Sequence, residues 1–272
     1  MSPLAFAKGH GTENDFVVIR DRQNMVPPTP ELVRQICDRR TGVGADGILR
    51  AVKAQYIPEW QGDPDVWFMD YWNNDGSIAE MCGNGLRVFV RYLIEEDLVP
   101  RMEAAIGTRA GLRTVWEQPS GALRAEMGSA VVGQQTWVGV GDRRFDATSV
   151  NVGNPHVVVI LPSDVALNDL DLQQAPSIDQ QCMPQGANAE FVHITGPNQF
   201  TMRVFERGVG ETRSCGTGVV AAAAAVRNAT ATSDVFNVQV PGGRLRVEFS
   251  GGQAYLTGPA IIVARGNLTL PD

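Results

Sequence analysis

Lysine is nearly missing from this 272-residue chain. Of 23 Lys plus Arg, only Lys8 and Lys53 are lysines, so chemistry that runs through a lysine Schiff base has just two candidate amines. Neither sits in a phosphate-binding context, which speaks against pyridoxal phosphate. No Walker-type glycine-lysine motif is present, and no complete GxGxxG follows a strand-like segment. Long hydrophobic runs are lacking too. The run from Val219 to Val226 is far shorter than the roughly 20 residues that span a bilayer. The N-terminus has no charged start followed by an apolar stretch of secretory length, so a cytoplasmic location is expected. There is no basic run, and the formal net charge is −7; no nucleic-acid surface and no membrane partner are expected. The four cysteines, Cys37, Cys82, Cys182 and Cys215, include no CxxC pair, which speaks against a zinc ribbon or a thioredoxin-type redox site.

What is present is alternation. Short apolar segments punctuated by Gly and Pro, such as Phe16–Ile19, Leu112–Val115, Val157–Leu161, Phe200–Phe205 and Arg244–Phe249, read as strands. Helical signals are fewer. Pro30 to Arg40, with Thr29 as N-cap, is one; Gly85 to Glu96 and Thr217 to Asn228 are the others.

An internal repeat organises these pieces. The first half reads Asn14-Asp-Phe-Val-Val-Ile, then Cys82-Gly-Asn-Gly before a helix, then Ala110-Gly-Leu-Arg-Thr-Val, then Met127-Gly128. The second half reads Asn154-Pro-His-Val-Val-Val-Ile, then Cys215-Gly-Thr-Gly before a helix, then Gly242-Gly-Arg-Leu-Arg-Val, then Thr257-Gly258. Asn14 precedes Cys82 by 68 residues and Asn154 precedes Cys215 by 61, so the landmarks recur in order at similar spacing. An α/β chain of the α+β type is expected. It would have two pseudo-symmetric domains, each a strand-rich sheet wrapped on a central helix, with the active site in the cleft between them.

The repeated Cys-Gly-x-Gly has a physical meaning. A helix start presents unpaired N–H groups and about half a positive charge. Small residues there let an anion approach the backbone, so a carboxylate is expected near Gly83, Asn84 and Gly85, and again near Gly216 and Thr217. The same field lowers a thiol toward neutrality. Two such thiols on opposite faces of one carbon are what a stereochemical inversion requires: one removes the α-proton and the other returns a proton. The enediolate-like intermediate needs preorganised donors, which two helix starts supply. No cofactor is expected. Cys37 and Cys182 lack a Gly-rich helix start and read as structural.

At this point the residues resemble a family. Asn14-Asp-Phe, Asn73-Asn-Asp-Gly-Ser, Met81-Cys-Gly-Asn-Gly, Gly153-Asn-Pro-His, Asn188, Glu206-Arg-Gly-Val-Gly-Glu-Thr, Ser214-Cys-Gly-Thr-Gly and Val240-Pro-Gly-Gly are similar to the diaminopimelate epimerases, from about residue 5 to about 265. The resemblance implies cofactor-independent interconversion of L,L- and meso-2,6-diaminopimelate, in lysine and peptidoglycan precursor biosynthesis. It implies one domain of 1–126 plus a C-terminal strand at about 255–272, and a second of 127–254. Cys82 and Cys215 would be the catalytic pair. Gly83, Asn84, Gly216 and Thr217 would bind the carboxylate at the reacting centre, and Asn14 and Glu206 its amino group. Asn73, Asn154, Asn188 and Arg207 would grip the distant centre, where an arginine suits a carboxylate. His156 and Glu206 would tune the thiols. The partner is the small-molecule substrate, and a homodimer is left open as the assembly.

Two positions depart from the family pattern: Glu13 stands where many relatives have Gly, and Gly47 where some use a Gln side chain on the substrate. A proline racemase or hydroxyproline epimerase, a thiol switch and a non-catalytic binding protein are the rival readings. The first typically carries His where this chain has Asn84.

Overall fold

The computed structural model describes residues 4–269. The chain divides into two units. The first runs through Ala125 and resumes at Pro259; the second is Glu126–Gly258. In chain order the first holds β1 (Leu4–Gly11), β2 (Asn14–Arg20), α1 (Pro30–Cys37), β3 (Gly47–Lys53), β4 (Trp67–Asn73), α2 (Gly83–Glu95), β5 (Glu103–Thr108) and β6 (Gly111–Glu117). Strand β7 (Leu123–Gly128) carries the chain across the boundary. The second unit opens with β8 (Val131–Val140), β9 (Arg143–Asn151), β10 (Pro155–Ile160) and the two-residue β11 (Ser177–Ile178). It continues through β12 (Asn188–Gly196), β13 (Gln199–Glu206), the short β14 (Gly210–Thr212) and α3 (Gly216–Thr230). It closes with β15 (Val235–Val240), β16 (Gly243–Ser250) and β17 (Gln253–Gly258), after which β18 (Ile261–Leu268) belongs to the first unit.

The first unit's strands pair in the order β18-β1-β2-β3-β4-β5-β6-β7, antiparallel throughout except for β2–β3 and β4–β5. The second unit's pair in the order β8-β9-β10-β12-β13-β15-β16-β17, parallel only at β10–β12 and β13–β15. The two ladders match strand for strand. The sequence repeat is therefore a repeated fold, and the chain is a strand-rich α+β protein. In each ladder the first strand comes from the other repeat: β8 follows β7 in sequence, and β18 follows β17.

Each ladder buries one helix. In the first unit Leu86, Val88, Phe89, Val90 and Leu93 of α2 pack on Phe16, Val18, Leu49 and Met69. The alternate side chains of the same strands, Val17, Ile19 and Ile48, pack on Val33 and Ile36 of α1, so β2 and β3 are buried on both faces. In the second unit α3 is buried from Gly216 to Val226, and its run of alanines allows close approach of the strands. The opposite face of β10, with Val157 and Val159, is covered by Leu161, Val165, Leu170 and Leu172 of the following loop instead of by a helix.

Helix limits differ from the sequence expectation in an informative way. Helices α2 and α3 begin at Gly83 and Gly216, ahead of the expected Gly85 and Thr217, because the preceding cysteine is itself the N-cap. Helix α1 stops at Cys37, short of the expected Arg40. The Asp38 carboxylate accepts the N–H groups of Arg40 and Thr41 at 2.8 and 2.6 Å, which turns the chain away.

Candidate active site

Cys82 caps α2. Its Sγ accepts the Gly85 N–H at 3.4 Å, the role a Ser or Asp side chain usually plays, and its thiol reaches Asn14 Oδ1 at 3.7 Å. Gly83 and Asn84 form the first buried turn. Beneath them lies Arg87, a fully buried guanidinium. It donates to Asn84 Oδ1 at 2.9 Å, Gly83 O at 3.2 Å and Pro259 O at 3.4 Å. Burial brings Arg87 down to about 10, so it still carries its charge at neutral pH.

The contacts continue with one sense. Because Arg87 holds Asn84 Oδ1, the Asn84 amide donates onward to Asn14 Oδ1 at 3.3 Å, and the Asn14 amide donates to Asp46 Oδ2 at 2.8 Å. A cation at one end and a carboxylate at the other thus orient both carboxamides, and Asn14 turns its oxygen toward Cys82. Asp46 and Asp15 share Arg39, and Asp15 also pairs with Lys8 at 2.5 Å. Burial opposes ionisation of Asp15, but Arg39 and Lys8 outweigh it and bring the carboxyl to about 2; Asp46 is raised, chiefly by burial. Asn73 is one step away. It ends β4 opposite Gly47, its amide donates to Ser77 Oγ at 3.0 Å, and the next N–H, of Asn74, donates to Asp46 O.

Cys215 caps α3 in the same way, accepting the Gly218 N–H at 3.4 Å, with the Thr217 hydroxyl 3.5 Å from its sulfur. The Asn188 amide lies 4.0 Å from Cys215 Sγ, and Asn188 Oδ1 accepts the Arg207 backbone N–H at 2.9 Å. The Arg207 guanidinium reaches Gln185 O at 2.8 Å on the exposed rim. Glu206 accepts the Thr212 hydroxyl at 2.5 Å. The expected lowering of this thiol by the helix start does not prevail. Burial pushes Cys215 well above its ordinary value, and the Glu206 and Glu190 carboxylates push the same way.

His156 and Glu190 are fully buried. His156 Nδ1 shares a 2.7 Å hydrogen bond with Glu190 Oε1, and Nε2 lies 2.9 Å from Asn154 Oδ1. Both ring nitrogens are therefore engaged away from Cys215. Glu190 itself is raised, first by burial, with His156 acting the other way.

The expected site residues occupy matching places in the two ladders. Phe16 pairs with Gly47 as His156 pairs with Asn188, which makes Asn14 the counterpart of Asn154 and Leu49 the counterpart of Glu190. Asn73 and Glu206 each end the next strand, and Asn84 and Thr217 each follow a capping cysteine by two. Within each unit the structure brings these groups together at one helix start. Three further residues, Arg87, Asp46 and Glu190, hold them in place and carry no motif of their own. A lone charge inside an apolar run was the available signal for Arg87 and Glu190.

The diaminopimelate epimerase family profile matches residues 6–133 and 148–263. Diaminopimelate epimerases of Corynebacterium glutamicum strain R, Streptomyces coelicolor and Thermobifida fusca are 46%, 45% and 44% identical to the chain. These matches cover 98%, 97% and 98% of this chain and 99%, 94% and 98% of those proteins. The chain belongs to the diaminopimelate epimerase family. It is an isomerase of the racemase and epimerase type. Among solved structures, a PhzF-family phenazine biosynthesis protein of Bacillus anthracis aligns with a TM-score of 0.70 at 14% identity, over 99% of this chain and 100% of that one. A hydroxyproline epimerase of Agrobacterium vitis, with trans-4-hydroxy-L-proline bound, aligns with a TM-score of 0.66 at 14% identity, over 99% and 93%. Both share the fold.

The two departures from the family pattern have local explanations. A Cβ at Gly47 would sit 2.5 Å from Trp72 O and 2.8 Å from Tyr71 Cε2, so this backbone accepts no side chain there. Glu13 has φ 63°, in the left-handed region that favours glycine, as does its counterpart Gly153 at 87°. Both lysines are engaged: Lys8 with Gly44 O and Asp15, and Lys53 with Asp65 O and the face of Trp67. No helix among the described residues is long and apolar enough to cross a membrane.

Proposed function

We propose that the chain interconverts L,L- and meso-2,6-diaminopimelate by two-base proton transfer between Cys82 and Cys215, without a cofactor. One observation supports this above the rest. Matching points of two matching ladders each carry a cysteine as the N-cap of a buried helix. A pair of acid/base groups on related scaffolds is the arrangement that inversion at one carbon calls for.

In this reading the α-carboxylate lies against the N–H groups of Gly83, Asn84, Gly216 and Thr217, and their fixed dipoles lower the energy of the enediolate. Asn14, with its oxygen turned toward Cys82 by the Arg87-to-Asp46 chain, accepts the α-ammonium together with Glu206. One sulfur, as thiolate, takes the α-proton. The opposing thiol delivers its proton to the other face of the carbanion, so the substrate is inverted and the two sulfurs exchange protonation states. Asn73, Asn154, Asn188 and Arg207 hold the centre that does not react, with the Arg207 side chain on the exposed rim suited to a second carboxylate. His156 acts within the Glu190–Asn154 cluster. The product would enter lysine and peptidoglycan precursor synthesis.

The test is incubation with L,L-diaminopimelate in D₂O under a thiol reductant and with no added cofactor. Meso product carrying one α-deuteron is expected. Cys82→Ala and Cys215→Ala should each lose about 10³-fold or more in kcat, the scale of a lost general acid or base. Full activity in either variant overturns the two-thiol mechanism, and turnover of proline in place of diaminopimelate overturns the substrate.

A further inference from the structure

The buried Glu190 carboxyl has no place in the proton transfers above, and the fold does not require it. In the first unit the same two ladder positions hold Phe16 and Leu49, an apolar pair that packs under α2. In the second unit His156 and Glu190 stand there instead, both without solvent exposure. Burying such a pair where hydrocarbon fits is often no gain in stability and can be a loss. Glu190 Oε2 has no hydrogen-bond partner among the described residues, a further cost of burying it. The helix also makes room for it. A Cβ at Gly218 would lie 2.6 Å from Glu190 Oε1, so the second glycine of Cys215-Gly-Thr-Gly serves an internal carboxyl as well as an incoming ligand.

The contact chain shows where this arrangement leads. A carboxamide oxygen can only accept, so the 2.9 Å contact between His156 Nε2 and Asn154 Oδ1 places a proton on Nε2. The 2.7 Å bond to Glu190 is consistent with that state when the His156–Glu190 pair carries a second proton. A neutral ring with its Nδ1 lone pair facing a protonated Glu190, or a charged ring facing the carboxylate, both keep Nε2 protonated. Asn154 is thereby held with its oxygen inward and its N–H pair outward.

We infer that Glu190 is a positioning residue for substrate binding, acting through the His156 ring to fix the Asn154 carboxamide as a donor toward the substrate. This rests on the reading that Asn154 contacts diaminopimelate. Glu190→Leu should raise KM about tenfold while kcat changes less than about threefold, as expected when a uniform binding contact is loosened. Glu190→Gln, which still bonds the ring, should restore most of the loss. In an Asn154→Ala background the Glu190→Leu effect on KM should vanish, because residues acting through one contact are not additive. The double variant His156→Phe with Glu190→Leu copies the first unit's pair; it should melt near the wild-type temperature and keep the raised KM. Additive effects in the Asn154→Ala background, a loss carried by kcat alone, or recovery of KM in the copied pair overturns the inference. A substrate-free readout separates its failure from failure of the functional reading. With three histidines in the chain, the His156 imidazole signals are assignable by ¹⁵N NMR. A slowly exchanging Nε2–H is expected in wild type and Glu190→Gln and not in Glu190→Leu; its persistence in Glu190→Leu overturns the inference even where no turnover is seen.

Discussion

The starts of α2 and α3 share a backbone and differ in charge. Each has a cysteine cap, a glycine third in the helix whose N–H meets the sulfur at 3.4 Å, and the strands of its own ladder packed against it. Five residues after each cysteine, however, α2 carries the buried Arg87 and α3 carries Val220. Two strand positions below, the first unit is apolar at Phe16 and Leu49, and the second polar at His156 and Glu190. The two helix starts thus share their main-chain geometry, while a cation stands beside one sulfur and carboxylates beside the other. The shared part belongs to the scaffold. The unshared part sets the two halves apart in charge.

The largest effect is expected from erasing the cation. Arg87→Val copies the α3 residue and leaves Gly83 O, Asn84 Oδ1 and Pro259 O without their donor. A loss of about 3 kcal/mol in urea unfolding is expected, chiefly from the buried Asn84 Oδ1 left without its charged donor. Activity should fall as well, since Asn84 and Asn14 lose the contact that orients them. Wild-type stability in this variant would make Arg87 dispensable and the charge difference incidental.

A second comparison sets the two helix glycines against each other. Alanine in a helix is favoured over glycine by about 1 kcal/mol. At Gly85 the added methyl meets Leu49 Cδ2 at 3.2 Å, a soft contact, so Gly85→Ala should be near neutral. At Gly218 it meets Glu190 Oε1 at 2.6 Å, and Gly218→Ala should cost about 2 kcal/mol net of propensity. Truncating Glu190 to alanine in the same chain should relieve that cost. Equal melting shifts for the two glycine variants would show that Glu190 does not press on α3.

Much of this comparison was legible in the sequence, and the reason is periodicity. The two Cys-Gly-x-Gly segments, the Asn14 and Asn154 strand starts and the Gly-Leu-Arg-Thr-Val and Gly-Arg-Leu-Arg-Val hairpins recur in order, and each is a local pattern. The helix starts were misplaced by one or two residues because cysteine is not among the usual caps, although its sulfur does the capping here. The lowering expected for both thiols followed from the helix field alone. It failed for Cys215 because full burial outweighs that field, and burial is a tertiary property. Arg87 and Glu190 were missed for a related reason: an isolated charge in an apolar run tells of a buried partner without naming it. Asp46 lies in a Gly-rich loop, and only the fold carries it to Asn14.

The smallest effect tests the sign of the charge difference. Asp15 is held at about 2, below its ordinary 3.8, by Arg39 and Lys8 against the pull of burial. A depressed carboxyl contributes stability that is fully present above the unfolded value and is lost as pH falls through the folded one, here between roughly pH 4 and 2. The Arg39 side chain is 59% exposed, so solvent screening reduces the contribution to about 1 kcal/mol. Glu190 is raised, and the rule reverses: its contribution is complete below the unfolded value and diminishes as pH rises through the folded one. Urea unfolding of wild type, Asp15→Asn and Glu190→Gln across pH 2.5 to 7 separates the two. The wild-type advantage over Asp15→Asn should shrink on acidification, and that over Glu190→Gln should grow. Two difference curves sloping the same way would show that the halves do not carry opposite electrostatics, whatever their shared ladder.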